Sequence, residues 1–216
     1  MAPDAAVDAV ARVVVLAVPL LAAIVLHEVA HGAVARACGD PTAAEAGRLT
    51  LNPIRHLDPV GSLLVPGLLL VAPLLFGGGS PTVFGWARPV PIDPRRMRHP
   101  RRDSVLVALA GPGTNLVLAA LSTAALVALR PDGFLADLLV GSLVVNCVLA
   151  VFNLLPIPPL DGSRVLEACL PASGAMLFAR LQGVGFLVLV FVLMNTNLIA
   201  RLTRPLLLAF SSFLPR

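Results

Sequence analysis

Two histidines four residues apart, with a glutamate directly after the first, stand in Leu26-His27-Glu28-Val29-Ala30-His31-Gly32. On a helix, residues four apart lie one above the other on a single face, so both imidazoles can reach one ion. Glu28 falls about 100° further round. From there its carboxylate can touch a water beside the ion and leave the coordination shell to the histidines. This is the pattern by which a zinc ion and a carboxylate together activate water. Two imidazoles leave the ion short of ligands, however. A third donor has to arrive at the same depth from another part of the chain.

The elements that must carry these groups are membrane helices. Of 216 residues, 57% are hydrophobic and 13% charged, and the mean hydropathy is +0.90, outside the range of soluble domains. Uncharged runs cover Leu63 to Phe84, Ser104 to Leu129, Leu138 to Leu160 and Leu181 to Ala200, and Val13 to Ala35 is broken only by the groups just named. The expected fold is an all-α polytopic bundle of about four to six transmembrane helices. It forms one integral-membrane domain over residues 1–216, with a catalytic core at about 7–162 and C-terminal helices at about 175–214.

The formal net charge is +4, and the basic residues are all arginine. Arginines beside apolar runs mark cytoplasmic loops and anionic headgroups rather than nucleic acid. Cys38, Cys147 and Cys169 are odd in number and show no paired spacing, so they read as small apolar fillers. Arg12 and the apolar run after it resemble the start of a signal peptide. Asp4 and Asp8 before it, and the Ala-rich continuation after it, favour a retained helix.

Helix one is expected from about Val7 to Ala37, stopped by Cys38-Gly39-Asp40-Pro41. Arg36, Arg48 and Arg55 follow and put that end in the cytoplasm. Residues 63 to 76 are short and broken by Pro66, Gly67 and Pro73, and the loop after them is arginine-rich, which fits a re-entrant hairpin. Phe84 to Ile92 is kept extended by Pro89 and Pro91, with Trp86 at the interface. It serves either as a linker or as an edge that adds a substrate strand. Helix three is expected over Ser104 to Leu129 and helix four over Leu135 to Leu155. A final span is expected over Ala175 to Ala200, and the tail from Pro205 lies in the interface or turns back.

The third donor comes from Asn153-Leu154-Leu155-Pro156-Ile157-Pro158-Pro159-Leu160-Asp161-Gly162. Its prolines force it out of helix, and Asp161 is a carboxylate after 23 uncharged residues, at the cytoplasmic end where His27 and His31 also lie. A turn explains the glycine but not the carboxylate. His56 is a weaker alternative ligand. Two imidazoles and one carboxylate would hold one Zn²⁺ per chain with an open fourth position. Glu28 would then be the proton carrier of a peptide hydrolysis. Asn153 and Asn115 are candidates for holding an unwound peptide or its oxyanion.

HEVAHG in helix one, AGPGTN in helix three and NLLPIPPLDG after helix four resemble the site-2 protease family of intramembrane zinc metalloproteases. The likeness covers roughly Leu20 to Gly162. GRLTLNPIRHLDPVGS and FGWARPVP are similar to its compact bacterial and archaeal branch without PDZ or CBS domains. The resemblance implies zinc on His27, His31 and Asp161, catalysis by Glu28, and cleavage of transmembrane protein substrates within the plasma membrane. The competing function class is a metal transporter or another zinc-binding membrane protein without peptidase activity. Transporters usually show repeats and a path of polar groups, whereas this chain shows one cluster and no repeat.

Overall fold

The computed structural model describes residues 3–59, 61, 88–180, 183–185, 187, 189, 191 and 196–214. The expected hairpin at 63 to 76, and Phe84 to Ala87 with Trp86, lie outside them. All regular structure among the described residues is helical. Three helices are long and apolar enough to cross a membrane, as an integral membrane protein requires.

Helix α1 spans Pro3–Ala37 and its apolar part is Val13–Ala37. It stops where Gly39 takes φ +110°, a conformation open to glycine, and the Asp40 N–H returns to the Ala35 carbonyl at 2.9 Å. A single turn, α2, follows at Thr42–Glu45. Helix α3, Pro100–Leu129, starts four residues before the expected Ser104. Pro100 in the first turn lacks an N–H that would be orphaned there anyway, and Asp103 reaches back to accept the His99 N–H at 2.8 Å. Arg130, at φ 45°, ends α3, and Gly133, at φ 58°, turns the chain into α4, Gly133–Asn153.

The irregular stretch after α4 is shorter than expected. Asp161 is not within it but opens helix α5, Asp161–Cys169. A carboxylate at a helix N-terminus faces unsatisfied N–H groups, which favours its charged form. Helix α6 is Ala172–Arg180, and residues 183–185, 187, 189 and 191 are also helical. The expected continuous span from Ala175 to Ala200 falls partly outside the described residues. Helix α7, Leu198–Ser211, lays Leu206, Leu207 and Phe210 on Ala119, Leu143 and Cys147 of α3 and α4.

Helices α1, α3 and α4 pack against one another, and α5 packs on α3. Polarity is inverted relative to a soluble domain. Val13, Leu16, Val117, Leu121 and Leu129 are outward and exposed, while His27, His31, Asn115, Ser122, Thr123 and Asn146 are buried between helices. In lipid, apolar side chains lose nothing by facing out, whereas polar ones need partners inside.

Candidate metal centre

α1 and α3 run in opposite directions, so Val107, Gly111 and Asn115 come level with His31 and His27 in turn. The approach is close because residue 111 has no side chain: a Cβ there would lie 2.5 Å from His27 Cε1 and 2.6 Å from His27 Nε2. Gly162 does the same for α5, where a Cβ would lie 2.6 Å from the Leu155 carbonyl oxygen. This contact seats the start of α5 on the backbone that follows α4 and brings Asp161 to the histidines.

The Nε2 atoms of His27 and His31 are 3.0 Å apart, and each is 3.1 Å from Asp161 Oδ2. These are the one group among the described residues able to gather three such ligands. The other nitrogen of each ring decides the chemistry. His31 Nδ1 lies 2.6 Å from the Val107 carbonyl, which can only accept, so His31 Nδ1 carries the proton. His27 Nδ1 donates to Asn115 Oδ1 at 2.6 Å, Asn115 Nδ2 donates to Asn146 Oδ1 at 2.9 Å, and Asn146 Nδ2 donates to the Ser142 carbonyl at 2.9 Å. That terminal carbonyl fixes the direction of the whole amide chain.

In their neutral form, with the proton on Nδ1, both rings would turn their Nε2 lone pairs toward each other and toward a carboxylate oxygen. Three electron-pair donors at this spacing repel unless a cation stands among them. Ligands 2.0 to 2.1 Å from a tetrahedral zinc lie roughly 3.3 Å apart, close to what is found here. The donor set fits zinc in both kind and spacing.

Glu28 Oε2 accepts the Val90 N–H at 2.8 Å, so the carboxylate is fixed by the extended stretch 88–92. Asn115 is fully buried, and its amide joins His27 to Asn146 instead of facing outward. Asn153 Nδ2 donates to the Leu149 carbonyl one turn earlier. His56 stands apart from the cluster: its Nε2 donates to the Thr50 carbonyl at 2.8 Å. Nothing in the sequence pointed to the Val107 carbonyl behind His31 or to the Val90 N–H on Glu28. Backbone groups carry no residue-type signal.

Beyond the helix ends, fully buried Asp40 fastens the stretch before α3. Its Oδ1 accepts from the Thr42 N–H and hydroxyl, and its Oδ2 from the Asp93 N–H at 2.7 Å. Burial pushes the Asp40 pKa up, but these bonds and the Arg96 charge outweigh it and hold the carboxyl below its ordinary value.

Residues 132–196 match the model of peptidase family M50. The chain is 40% identical over 182 residues to a Bacillus subtilis protein described as "Putative zinc metalloprotease YwhC", covering 80% of this chain and 77% of that one. Two mycobacterial proteins described in the same terms, as Rip2, also match. That of Mycolicibacterium smegmatis is 34% identical, over 82% of this chain and 66% of its own length. That of Mycobacterium tuberculosis H37Rv is 37% identical, over 68% and 54%. No solved structure matches.

Proposed function

The chain belongs to peptidase family M50, and from that premise we propose that His27, His31 and Asp161 hold one zinc ion while Glu28 carries the proton of peptide hydrolysis. The protein is an intramembrane zinc metalloprotease. The observation that carries the residue assignment is the meeting of three lone-pair donors, with both histidine Nδ1 protons already placed, inside an apolar helix bundle.

When bound, zinc polarises the scissile carbonyl and lowers the pKa of the attacking water towards ~7. Glu28 accepts a proton from that water and delivers it to the leaving amide nitrogen, which departs as an amine. The Val90 N–H anchors Oε2, and Oε1 has no hydrogen-bond partner among the described residues, so Oε1 is the oxygen that handles the proton. Asn115 and the Val107 carbonyl hold the rings of His27 and His31 in one tautomer and one orientation through both steps. Asn153, the last residue of α4, is the candidate for holding an unwound peptide or its oxyanion in this reading, once its amide leaves the Leu149 carbonyl.

His27 and His31 lie ten and six residues before the end of α1 at Ala37, about 15 and 9 Å along the helix. Peptide bonds are therefore cut inside the membrane, in segments that must first unwind. The substrates in this reading are transmembrane proteins. Arg36 lies in the last turn of α1, and Arg48, Arg55, Arg88, Arg95, Arg96, Arg98, Arg101 and Arg102 fall between α1 and the body of α3, while Arg130 stands at the other end of α3. That asymmetry supports a plasma-membrane protein with its site toward the cytoplasm.

The test uses a single-pass reporter and the protein in liposomes. Glu28→Gln should keep zinc and lose cleavage, and Asp161→Ala should lose both. Wild-type cleavage by Glu28→Gln would sink the mechanism.

A further inference from the structure

The stretch Gly47 to His56, prominent in sequence yet unused by the chemistry above, closes on the extended stretch 88–92 that holds Glu28. Arg48, only 7% exposed, donates from Nη2 to the Arg88 carbonyl at 2.6 Å, with the Pro89 carbonyl at 3.4 Å. From the other side, the Arg88 N–H donates to the His56 carbonyl at 2.9 Å. His56 is itself 1% exposed and fixed by its ring on the Thr50 carbonyl, and Asn52 caps the short helix Pro53–Arg55 between them. Residues 88 and 89 are thus gripped from both sides, and two residues on, the Val90 N–H meets Glu28. Gly32, which ends the HEVAHG motif, shows how tightly the parts meet. A Cβ there would lie 2.6 Å from Leu49 Cδ2 and 3.1 Å from Val90 Cγ1, so both pieces rest on helix α1 one turn past Glu28.

We propose that Arg48, with the His56 carbonyl, is a positioning device for Glu28 that acts through the backbone of Arg88 to Val90. The inference rests on Glu28 being the proton carrier. An arginine suits the task because a buried guanidinium binds carbonyl oxygens without needing a carboxylate, which would compete for the same region. A carboxylate anchored at one oxygen keeps the other aimed, and small misplacements of a proton carrier lower turnover without weakening substrate binding.

The experiment uses the full chain in liposomes with a single-pass reporter, comparing Arg48→Ala, Val90→Pro and the double variant. Val90→Pro removes the N–H that, among the described residues, holds Glu28 and keeps the backbone extended. Each single variant should retain zinc and KM and lose kcat on the order of 10²-fold. The double variant should be no worse than the poorer single, because both break one linkage. Millimolar guanidinium should restore part of the Arg48→Ala rate. Wild-type kcat in Arg48→Ala, losses that multiply in the double variant, or a loss seen only as zinc release or raised KM would each overturn the proposal. Should Arg48→Ala fail to fold, Gly32→Ala, which lifts Leu49 and Val90 off α1, must give the same kcat-only loss. Glu28→Gln separates the two readings. If it stays active, the assignment of Glu28 fails; if it is dead while Arg48→Ala is fully active, the positioning role alone fails.

Discussion

Replacing Gly111 by alanine adds one methyl group where the ligand nitrogens meet. The new Cβ would lie 2.5 Å from His27 Cε1, 2.6 Å from His27 Nε2 and closer still to His31 Nε2. Non-bonded heavy atoms settle near 3.5 Å or beyond, so α3 must back away from α1 by about 1 Å at this level. Helix backbone cannot yield locally, and the retreat stretches the two 2.6 Å bonds that Asn115 and the Val107 carbonyl make to the rings. At about 3.6 Å neither is a hydrogen bond any longer. Each lost partner behind a metal-bound histidine lowers affinity by about 10- to 100-fold, so zinc binding should fall at least 100-fold. Alanine is the better helix former by about 1 kcal/mol, so stability alone would not report the damage. Gly113 supplies the control, since a Cβ there meets nothing within 4 Å and Gly113→Ala should bind zinc normally. Competition against a fluorescent zinc chelator measures both. Unchanged zinc affinity in Gly111→Ala would refute the close approach of α3 to the histidines.

Other perturbations test separate links. Asn146→Leu leaves the Asn115 Nδ2 donor without its partner in a dry interior, and should weaken zinc by about 10-fold, less than Asn115→Leu does, in the same competition assay. Gly162→Ala drives a methyl into the Leu154 and Leu155 carbonyls and should displace Asp161, lowering metal content while α1, α3 and α4 stay helical by circular dichroism. Prolonged chelation should abolish reporter cleavage, with zinc alone restoring it. Asp40 has a folded pKa below its unfolded value, so its contribution to stability is complete above the ordinary carboxylate range and is lost as pH falls through the depressed value. The melting difference between wild type and Asp40→Asn should accordingly be flat near neutrality and shrink in strong acid.

What could be read from sequence depended on how local the physics was. His27, Glu28 and His31 follow from one helix period, and Asp161 stood out because a lone carboxylate in an apolar stretch needs a reason. Asn115 and Asn146 were visible as polar groups in lipid, but their directed chain to His27 needs α3 and α4 side by side. Arg48 and Val90 were opaque for a different reason. Their partners are a carbonyl 40 residues away and a carboxylate 62 residues away, and neither backbone group leaves a mark in the sequence. Proline misled at both shifted boundaries. It reads as a breaker, yet Pro100 sits comfortably in a first helical turn, and the proline-rich run before Asp161 ends just early enough for that residue to begin α5.

Zinc-edge X-ray absorption of the purified protein, beside Asp161→Ala, addresses the central assignment most directly. One zinc per chain is expected, with two imidazole nitrogens and carboxylate oxygen at about 2.0 to 2.2 Å and no sulfur near ~2.3 Å. Asp161→Ala should lose the metal. Sulfur in the coordination shell, or an unaltered spectrum and full zinc content in Asp161→Ala, would contradict the account.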